Sequence, residues 1–307
     1  MRETDVGINI KETETMQQKI ILILSILFLT QTNCFSQNRK QIAKSGFVNE
    51  KDYLVEIPFS YIGKHIFIEV LISDKKYNFL FDTGYEISAI DQDISKEISY
   101  TLKKEIELSG SSVSTQKVRL IELSNISISN VSFEKTYGML QDLSLIKPNY
   151  ETIKISGIIG NNLMRKANWQ IDYKKSVIRI SDKTNKFDIP KTSQIVTMKN
   201  QNWGLGYIDT QINTKTYKFI FDLGSSGKFT ANTSFIENLD QKKATNPEEL
   251  KQKFPIDKIK IGEIELYNQS LSLEKGVASL IGNAFFEDYL LTIDWKKNIL
   301  HLTPYNN

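Results

Sequence analysis

The sequence has few of the residues that hold metal ions or cross-link chains. Its 307 residues include one cysteine, Cys34, and only two histidines, His65 and His301. This scarcity excludes a zinc site built from several His or Cys ligands. The net charge is only +3, so the chain carries no strong field for nucleic acid. No phosphate loop, dinucleotide fingerprint or serine elbow is present. We therefore expect no metal, no cofactor and no nucleic-acid partner.

Proline is also scarce, and the residue types that are frequent indicate the fold class. The chain has 6 prolines, and 40% of its residues are hydrophobic, which is ordinary for a globular protein. Isoleucine, phenylalanine, tyrosine, serine and threonine are frequent, and this composition favours β structure.

The N-terminal segment is typical of an export signal. Residues 20–29 are an apolar run that is too short to span a bilayer but fits the centre of a signal peptide. Met16 lies just before this run and is a better start than Met1, whose segment is acidic. Small residues at Cys34 and Ser36 predict cleavage after residue 36, so residues 1–36 form the signal peptide.

Cleavage after Ser36 predicts an exported protein, periplasmic or secreted, that has no cysteine and hence no disulfide bond. The alternative is a lipoprotein that is anchored to a membrane through acylated Cys34.

The rest of the chain contains an internal repeat. Residues 68–84, IEVLISDKKYNFLFDTG, align without gaps with residues 208–224, IDTQINTKTYKFIFDLG, at an offset of 140 positions. Each copy alternates apolar and polar residues around a polar turn, a pattern that predicts a β-hairpin ending at an aspartate.

A second pair of similar segments follows in the same order. Residues 156–180 align with residues 278–302 at an offset of 122 positions. Each copy reads as an apolar strand, a glycine turn, a short helix and a hairpin. Two blocks in the same order predict two tandem β-rich lobes, and the polar segment 182–194 marks their boundary.

Each first-block hairpin ends in a carboxylate that is out of place in a core strand. Asp82 follows Phe81, and Asp222 follows Phe221. Burying a carboxylate costs several kcal/mol unless it is paired or neutralised. If the copies pack about a pseudo-twofold axis, the aspartates meet on it, and two carboxylates about 3 Å apart share one proton. One can then act as a general base on water and the other as a general acid toward a carbonyl.

These residues resemble the motifs of the pepsin and retropepsin clan of aspartic proteases. The turns Asp82-Thr83-Gly84 and Asp222-Leu223-Gly224 look like the two catalytic loops of that clan. Each is followed by an apolar-apolar-glycine element that, in the clan, crosses beside the loop in a ψ shape. The elements in this chain are Ile158, Ile159 and Gly160, and Leu280, Ile281 and Gly282.

The resemblance covers roughly residues 50–303. The arrangement of a signal peptide, two short lobes and no cysteine in the mature chain is similar to that of retropepsin-like proteins of Gram-negative bacteria. It implies an all-β, bilobal acid protease fold whose lobes are related by a pseudo-twofold. It also implies an aspartic endopeptidase in which a water is activated between Asp82 and Asp222, with a peptide or protein as substrate. Because one chain supplies both aspartates, we expect a monomer.

Two positions depart from the family pattern. The family has Thr or Ser between Asp and Gly, and this hydroxyl ties the loops together; Thr83 conforms and Leu223 does not. After the glycine the family has Ala or Ser; Ser225 conforms, whereas Tyr85 is bulky and is expected to crowd the cleft. The alternative function is therefore a catalytically degenerate peptide-binding or scaffold protein.

The resemblance further implies a flap over the cleft in the first lobe. The first copy is 18 residues longer than the second between its aspartate and its ψ glycine. Within this excess, a polar tip between two strand-like runs is the flap candidate, and an ordinary exposed turn is the alternative. The tip consists of Ser109, Gly110, Ser111 and Ser112. The predicted domains are residues 37–190, the N-terminal lobe with the flap, and residues 191–307, the C-terminal lobe.

Four other polar residues are assigned structural roles. His65 and His301 are predicted to be surface residues of strands. Asp172 and Asp294 each precede a lysine pair and are predicted to cap tight turns.

Overall fold

The computed structural model describes most of the chain after residue 40. The described residues are 41–108, 116–144, 146, 150, 152–200, 204–233, 235, 253–274 and 277–305. The predicted signal peptide, with Met16 and Cys34, lies outside these residues, as does the flap tip from Ser109 to Ser112. No helix among the described residues is long and apolar enough to cross a membrane.

The first half of the described chain consists mainly of β-strands. Residues 41–44 are helical, and the strands, a 3-10 turn at Gln92–Ile94 and one short α-helix follow. These elements are β1 (Phe47–Val48), β2 (Leu54–Pro58), β3 (Ser60–Ile62), β4 (His65–Ile72), β5 (Lys75–Phe81), β6 (Ala89–Asp91), β7 (Tyr100–Leu108), β8 (Gln116–Ile128), β9 (Val131–Gln141), β10 (Ile155–Ile159), α1 (Asn161–Met164), β11 (Asn168–Asp172) and β12 (Val177–Ser181).

The second half repeats much of this order, although its described residues contain no counterpart of β7. Its elements are β13 (Gln194–Asn200), β14 (Gly206–Ile212), β15 (Lys215–Asp222), β16 (Phe229–Asn232), β17 (Phe254–Ile261), β18 (Ile264–Glu274), β19 (Leu280–Gly282), α2 (Asn283–Phe286), β20 (Tyr289–Asp294) and β21 (Ile299–Pro304).

The hairpin β4–β5 shows why the first repeat folds as it does. Its apolar residues alternate toward the core, and Ile72 pairs with Lys75 across a two-residue turn. Both turn residues, Ser73 and Asp74, have positive φ (51° and 62°). Two positive φ values match the twist of the flanking strands, so the turn fixes the register that brings β5 to Asp82. The equivalent hairpin β14–β15 likewise pairs Ile212 with Lys215.

The strands of the described residues form two sheets. The first contains nine strands in the order β1-β9-β6-β10-β5-β4-β8-β7, with β3 paired to β4. The second contains twelve strands in the order β15-β19-β16-β18-β17-β14-β13-β21-β20-β11-β12-β2. Strands β2, β11 and β12 come from the first half of the chain but pair within the second sheet, so this sheet joins the two halves.

A continuous apolar core underlies both halves. Trp169 is fully buried and lies 5.1 Å from Phe81 and 6.3 Å from Phe133, measured between ring centroids. On the other side, Phe221 packs edge-on against Phe286 at 4.8 Å. The strands that end at the two aspartates are therefore anchored by aromatic side chains just before the loops begin.

Candidate active site

The two aspartate loops meet between the lobes. Asp82 follows β5 directly and Asp222 ends β15; each side chain is 1% exposed. A Cβ added at Gly84 would lie 2.5 Å from the Asp222 carboxylate, and one added at Gly224 would lie 2.1 Å from that of Asp82. Each loop thus presses its glycine against the opposite carboxylate, and only glycine fits at these two positions. The geometry brings together the two aspartates that the sequence singled out.

Each carboxylate is held by the backbone of its own loop. The Gly84 amide donates to Oδ1 of Asp82, and the Gly224 amide donates to Oδ1 of Asp222, both at 2.8 Å. These matching bonds fix the two carboxyl planes before any substrate arrives, and this is the preorganisation that acid–base chemistry requires.

Burial and mutual repulsion favour one proton on the pair. Burial, followed by the negative charge of Asp222, raises the pKa of Asp82 well above its usual value. Burial also raises the pKa of Asp222, but a hydrogen bond from Asp82 opposes that shift. The two carboxyls therefore share one proton, so that one of them is protonated while the other is ionised.

Thr83 links the first loop to the second. Its hydroxyl donates to the carbonyl of Phe221 at 2.9 Å and accepts from the amide of Leu223 at 2.8 Å. Thr83 is fully buried, so these bonds form away from water. At the equivalent place in the second loop, Leu223 has no hydroxyl and is buried in the apolar core. The link between the loops therefore runs in one direction only.

Two asparagines hold the loops by hydrogen bonds to loop carbonyls. The sequence did not assign them to the site. The side-chain amide of Asn161 donates to the carbonyl of Thr83 at 2.5 Å, and that of Asn283 donates to the carbonyl of Leu223. Both are fully buried at the start of α1 and α2. Their identity in the second repeat block, 122 positions apart, was the signal that could have identified them.

The apolar-glycine elements run beside the loops. In β10, Ile159 pairs in parallel with Phe81; in β19, Ile281 pairs in parallel with Phe221 and Gly282 with Asp222. A Cβ at Gly160 would lie 2.7 Å from the Tyr85 carbonyl. A Cβ at Gly282 would lie 2.6 Å from the carbonyl of Ser225 and 2.4 Å from that of Gly227. The two elements therefore pass against the loops at backbone contact distance.

Tyr85 and Ser225 follow the two glycines but differ in their surroundings. The Tyr85 ring has no exposed surface and packs in the first-lobe apolar cluster with Leu120 and Met139. Its hydroxyl donates to Oε1 of Gln141 at 2.5 Å. The expectation that Tyr85 crowds an open cleft was wrong, because the first lobe encloses the ring. Ser225 is 5% exposed.

The predicted flap corresponds to the hairpin β7–β8. Its strands pair antiparallel as far as Leu108 and Gln116, on either side of the predicted tip. Another part of the first-copy excess lies elsewhere: residues 142–154, between β9 and β10, outnumber residues 275–279, between β18 and β19, by eight.

The structure agrees with the predicted roles of Asp172 and Asp294 but not with that of His65. Asp172 and Asp294 accept from the amides of Lys175 (3.2 Å) and Lys297 (2.9 Å), as expected of turn caps. His65, in contrast, was wrongly placed on the surface, because it is 2% exposed. Among the described residues, no three His, Cys, Asp or Glu side chains cluster in a way that could hold a metal ion.

Comparisons with known proteins agree with this geometry. Residues 68–163, which span the first aspartate loop and its ψ glycine, match the family model described as aspartyl protease. Over these residues the chain is similar to aspartyl proteases. The search of curated proteins found no match.

Solved structures extend the likeness to both lobes. Among 420 matching chains is the crystal structure of Basic 7S globulin from soybean, with a TM-score of 0.55 and 10% sequence identity. The match covers 81% of this chain and 94% of that one. At this identity the likeness concerns the fold alone. The prediction of an all-β, pepsin-like fold with two lobes is confirmed.

Proposed function

We propose that this protein is an aspartic endopeptidase that hydrolyses peptide bonds with a water activated between Asp82 and Asp222. The observation that carries the proposal is the buried pair of carboxyls, each pressed against the glycine of the opposite loop and each with a raised pKa. A purely structural role would not explain the pairing of two carboxylates, because burying two of them side by side in the interior costs free energy.

In the proposed mechanism Asp222 starts ionised and Asp82 starts protonated. Ionised Asp222 takes a proton from water while the water oxygen attacks the peptide carbonyl carbon, and Asp82 gives its proton to the carbonyl oxygen. A tetrahedral diol forms. Asp222 then passes its new proton to the amide nitrogen, the C–N bond breaks, and a diol hydroxyl returns a proton to Asp82. The products are a carboxylic acid and an amine, and the dyad regains its starting protonation.

One observation favours a second function, a peptide-binding protein without turnover. Leu223 leaves the link between the loops one-sided, and a small displacement of either carboxyl is enough to slow catalysis greatly. On this reading the cleft still accepts an extended peptide, but the dyad does not cleave it.

A peptide-library experiment separates the two functions. The purified protein is incubated with a mixed peptide library from pH 3 to pH 8, next to the variants Asp82→Asn and Asp222→Asn. Asp294→Asn is the matched control, because Asp294 is also buried but caps a turn outside the dyad. Cleavage that is lost in both dyad variants and kept in the control supports the endopeptidase. Peptide retention without cleavage by the wild type supports the binding protein.

We further propose that the protein is exported and acts as a monomer. The apolar run 20–29 and the small residues before position 37 support export. Mass spectrometry of the mature form should find Gln37 at the N-terminus. A lipid adduct on Cys34 would instead establish the membrane-anchored alternative.

A further inference from the structure

A chain of hydrogen bonds reaches the second aspartate loop from the first half of the sequence. Tyr173 lies in the turn between β11 and β12, and its hydroxyl donates to Oδ1 of Asn283 at 2.7 Å. The side-chain nitrogen of Asn283 donates in turn to the carbonyl of Leu223. A single orientation of this amide serves both bonds, since its oxygen accepts and its nitrogen donates. One buried side chain therefore connects the Tyr173 hydroxyl to the backbone beside Asp222.

The ring of Tyr173 is held from several sides. It meets the rings of Tyr61 and Phe59 edge to face, with centroids 5.5 Å and 6.0 Å away. The backbone amide of Tyr173 donates to the hydroxyl of Tyr305 at 2.8 Å. Burial raises the pKa of Tyr173 well above its usual value, so the hydroxyl keeps its proton at neutral and acidic pH. Tyr173 is therefore a fixed hydrogen-bond donor.

The equivalent relay on the first loop lacks its outer hydrogen bond. At the offset of 122 positions, Asn161 corresponds to Asn283 and Trp295 corresponds to Tyr173. Asn161 holds the first loop in the same way, by donating to the carbonyl of Thr83. Within the described part of the chain, however, Oδ1 of Asn161 and Nε1 of Trp295 are both buried without a hydrogen-bond partner. The relay is therefore complete only for the second loop.

This difference argues that the bond from Tyr173 does more than satisfy a buried oxygen. The first loop adopts its geometry although Oδ1 of Asn161 has no partner among the described residues. Trp295 instead stacks its ring on the guanidinium of Arg165, which lies 4.6 Å from the ring centroid. The contact between asparagine and loop can thus form without a hydroxyl behind it. The hydroxyl of Tyr173 adds restraint to a contact that the fold already provides.

The added restraint acts on the loop that lacks a hydroxyl between its aspartate and its glycine. The Thr83 hydroxyl bonds to the second loop, whereas Leu223 returns no such bond to the first. The backbone of Leu223 is nevertheless held at both polar groups, because its amide donates to Thr83 and its carbonyl accepts from Asn283. Leu223 directly follows Asp222, so these two bonds fix the backbone from which the Asp222 carboxyl extends.

We propose that Tyr173 is a positioning residue of the aspartate pair, which acts through Asn283 and the Leu223 carbonyl to hold Asp222 in line with Asp82. The proposal rests on the peptidase function proposed above. Tyr173 acts at a distance of two hydrogen bonds from the loop, where Leu223 offers no hydroxyl of its own. Misplacement of a reacting group by a fraction of an ångström slows catalysis, so this distant restraint affects turnover.

The first test removes only the hydroxyl. Tyr173→Phe keeps the ring and leaves the oxygen of Asn283 in the state that the oxygen of Asn161 already has, so the variant should fold. We expect kcat on a cleaved peptide to fall about fivefold with KM unchanged, because the loss of one hydrogen bond loosens the loop.

Tyr61→Phe is the matched control for this test. The Tyr61 ring belongs to the same aromatic cluster, but its hydroxyl donates to Oε2 of Glu287 at 2.7 Å rather than to Asn283. Its kcat should match that of the wild type. Equal values of kcat in Tyr61→Phe and Tyr173→Phe would contradict the positioning role.

The second test asks whether Tyr173 acts through Asn283. Asn283→Ala removes both bonds of the relay and should reduce kcat more than Tyr173→Phe does. Adding Tyr173→Phe to Asn283→Ala should cause no further loss, because the hydroxyl then has no side chain to act through. Losses that multiply in the double variant would mean that Tyr173 affects the site by another route, and would overturn the proposal.

The third test needs no turnover. The carbon-13 signals of the Asp82 and Asp222 carboxyls are followed by NMR against pH in the wild type, Tyr173→Phe and Tyr61→Phe. Tyr173→Phe should shift the titration of the pair, because the coupling of two carboxyls depends on their separation, whereas Tyr61→Phe should leave it in place. The same titration in all three proteins would overturn the positioning role even if the protein cleaves peptides.

The failures of the two proposals are distinguishable. If the wild type cleaves no peptide, the peptidase function fails, while the NMR comparison still decides whether Tyr173 positions the carboxyls. That comparison also decides the proposal if Asn283→Ala does not fold, because it does not use this variant. If the wild type cleaves peptides and Tyr173→Phe keeps its full kcat, the peptidase function stands and the positioning role fails.

Discussion

Replacing Thr83 with valine tests the one-sided link between the aspartate loops. Valine has nearly the same shape as threonine but carries a methyl group in place of the hydroxyl. The change removes the donor to the Phe221 carbonyl and the acceptor of the Leu223 amide. Both bonds lie in the fully buried interior, so water cannot replace them.

The cost follows from the two groups that are left behind. An unpaired buried amide costs about 1–3 kcal/mol. The carbonyl loses less, about 1 kcal/mol, because a carbonyl oxygen has two lone pairs. Thr83→Val should therefore lower the free energy of unfolding by about 2–4 kcal/mol. Thr83→Ser keeps both bonds and loses one methyl group, which costs about 1 kcal/mol.

Urea unfolding at pH 7 measures both variants against the wild type. The order of stability should be wild type, then serine, then valine, and the peptidase activity of the valine variant should fall because the second loop is released. A valine variant as stable as the serine variant would refute the reasoning, since the hydroxyl would then carry no link between the lobes.

Three further predictions concern the second loop. Leu223→Thr should raise turnover by up to about tenfold, measured as kcat on a cleaved peptide, because a second hydroxyl can complete the link; lower turnover would mean that the leucine belongs to a reshaped working loop. Asp222→Asn should be more stable than the wild type at pH 7, and this gain should vanish below pH 4, because a raised carboxyl pKa lowers stability only when the pH exceeds the pKa of the unfolded state; a gain that does not depend on pH in thermal unfolding would contradict this. Gly224→Ala should abolish activity by pressing on Asp82, whereas Gly227→Ala, whose added Cβ would lie 3.2 Å from the Thr230 hydroxyl and 3.8 Å from that of Ser225, should retain it; equal activities would contradict the close approach of the loops.

The hairpins and their aspartates could be predicted from the sequence because they rest on local patterns. The alternation in β4 and β5 and the polar turn between them specify a hairpin without reference to the rest of the chain. The repetition of that pattern 140 positions later supplied the pairing of Asp82 with Asp222. Repeated segments that are too small to bury their own faces imply a partner, and that partner was the other copy.

The surroundings of the dyad could not be read in the same way because they depend on distant parts of the chain. Tyr85 is bulky in the loop motif, but whether it crowds the cleft depends on residues of β8 and β9 that enclose its ring. The burial of Tyr150 depends on the path of a connection with no regular pattern. His65 is instructive, since local alternation favours an exposed strand end, whereas its alignment with Leu205 marked the position as interior. The repeat contained that signal.

The most direct test of the shared-proton dyad compares kcat/KM for one cleaved peptide among the wild type, Asp82→Asn, Asp222→Asn and the double variant. Because the two carboxyls act as a unit, each single variant should lose at least about a hundredfold, and the double variant should be no worse than the singles. Urea unfolding of each variant should show that all are folded. A single variant with wild-type activity, or losses that multiply in the double variant, would contradict the account.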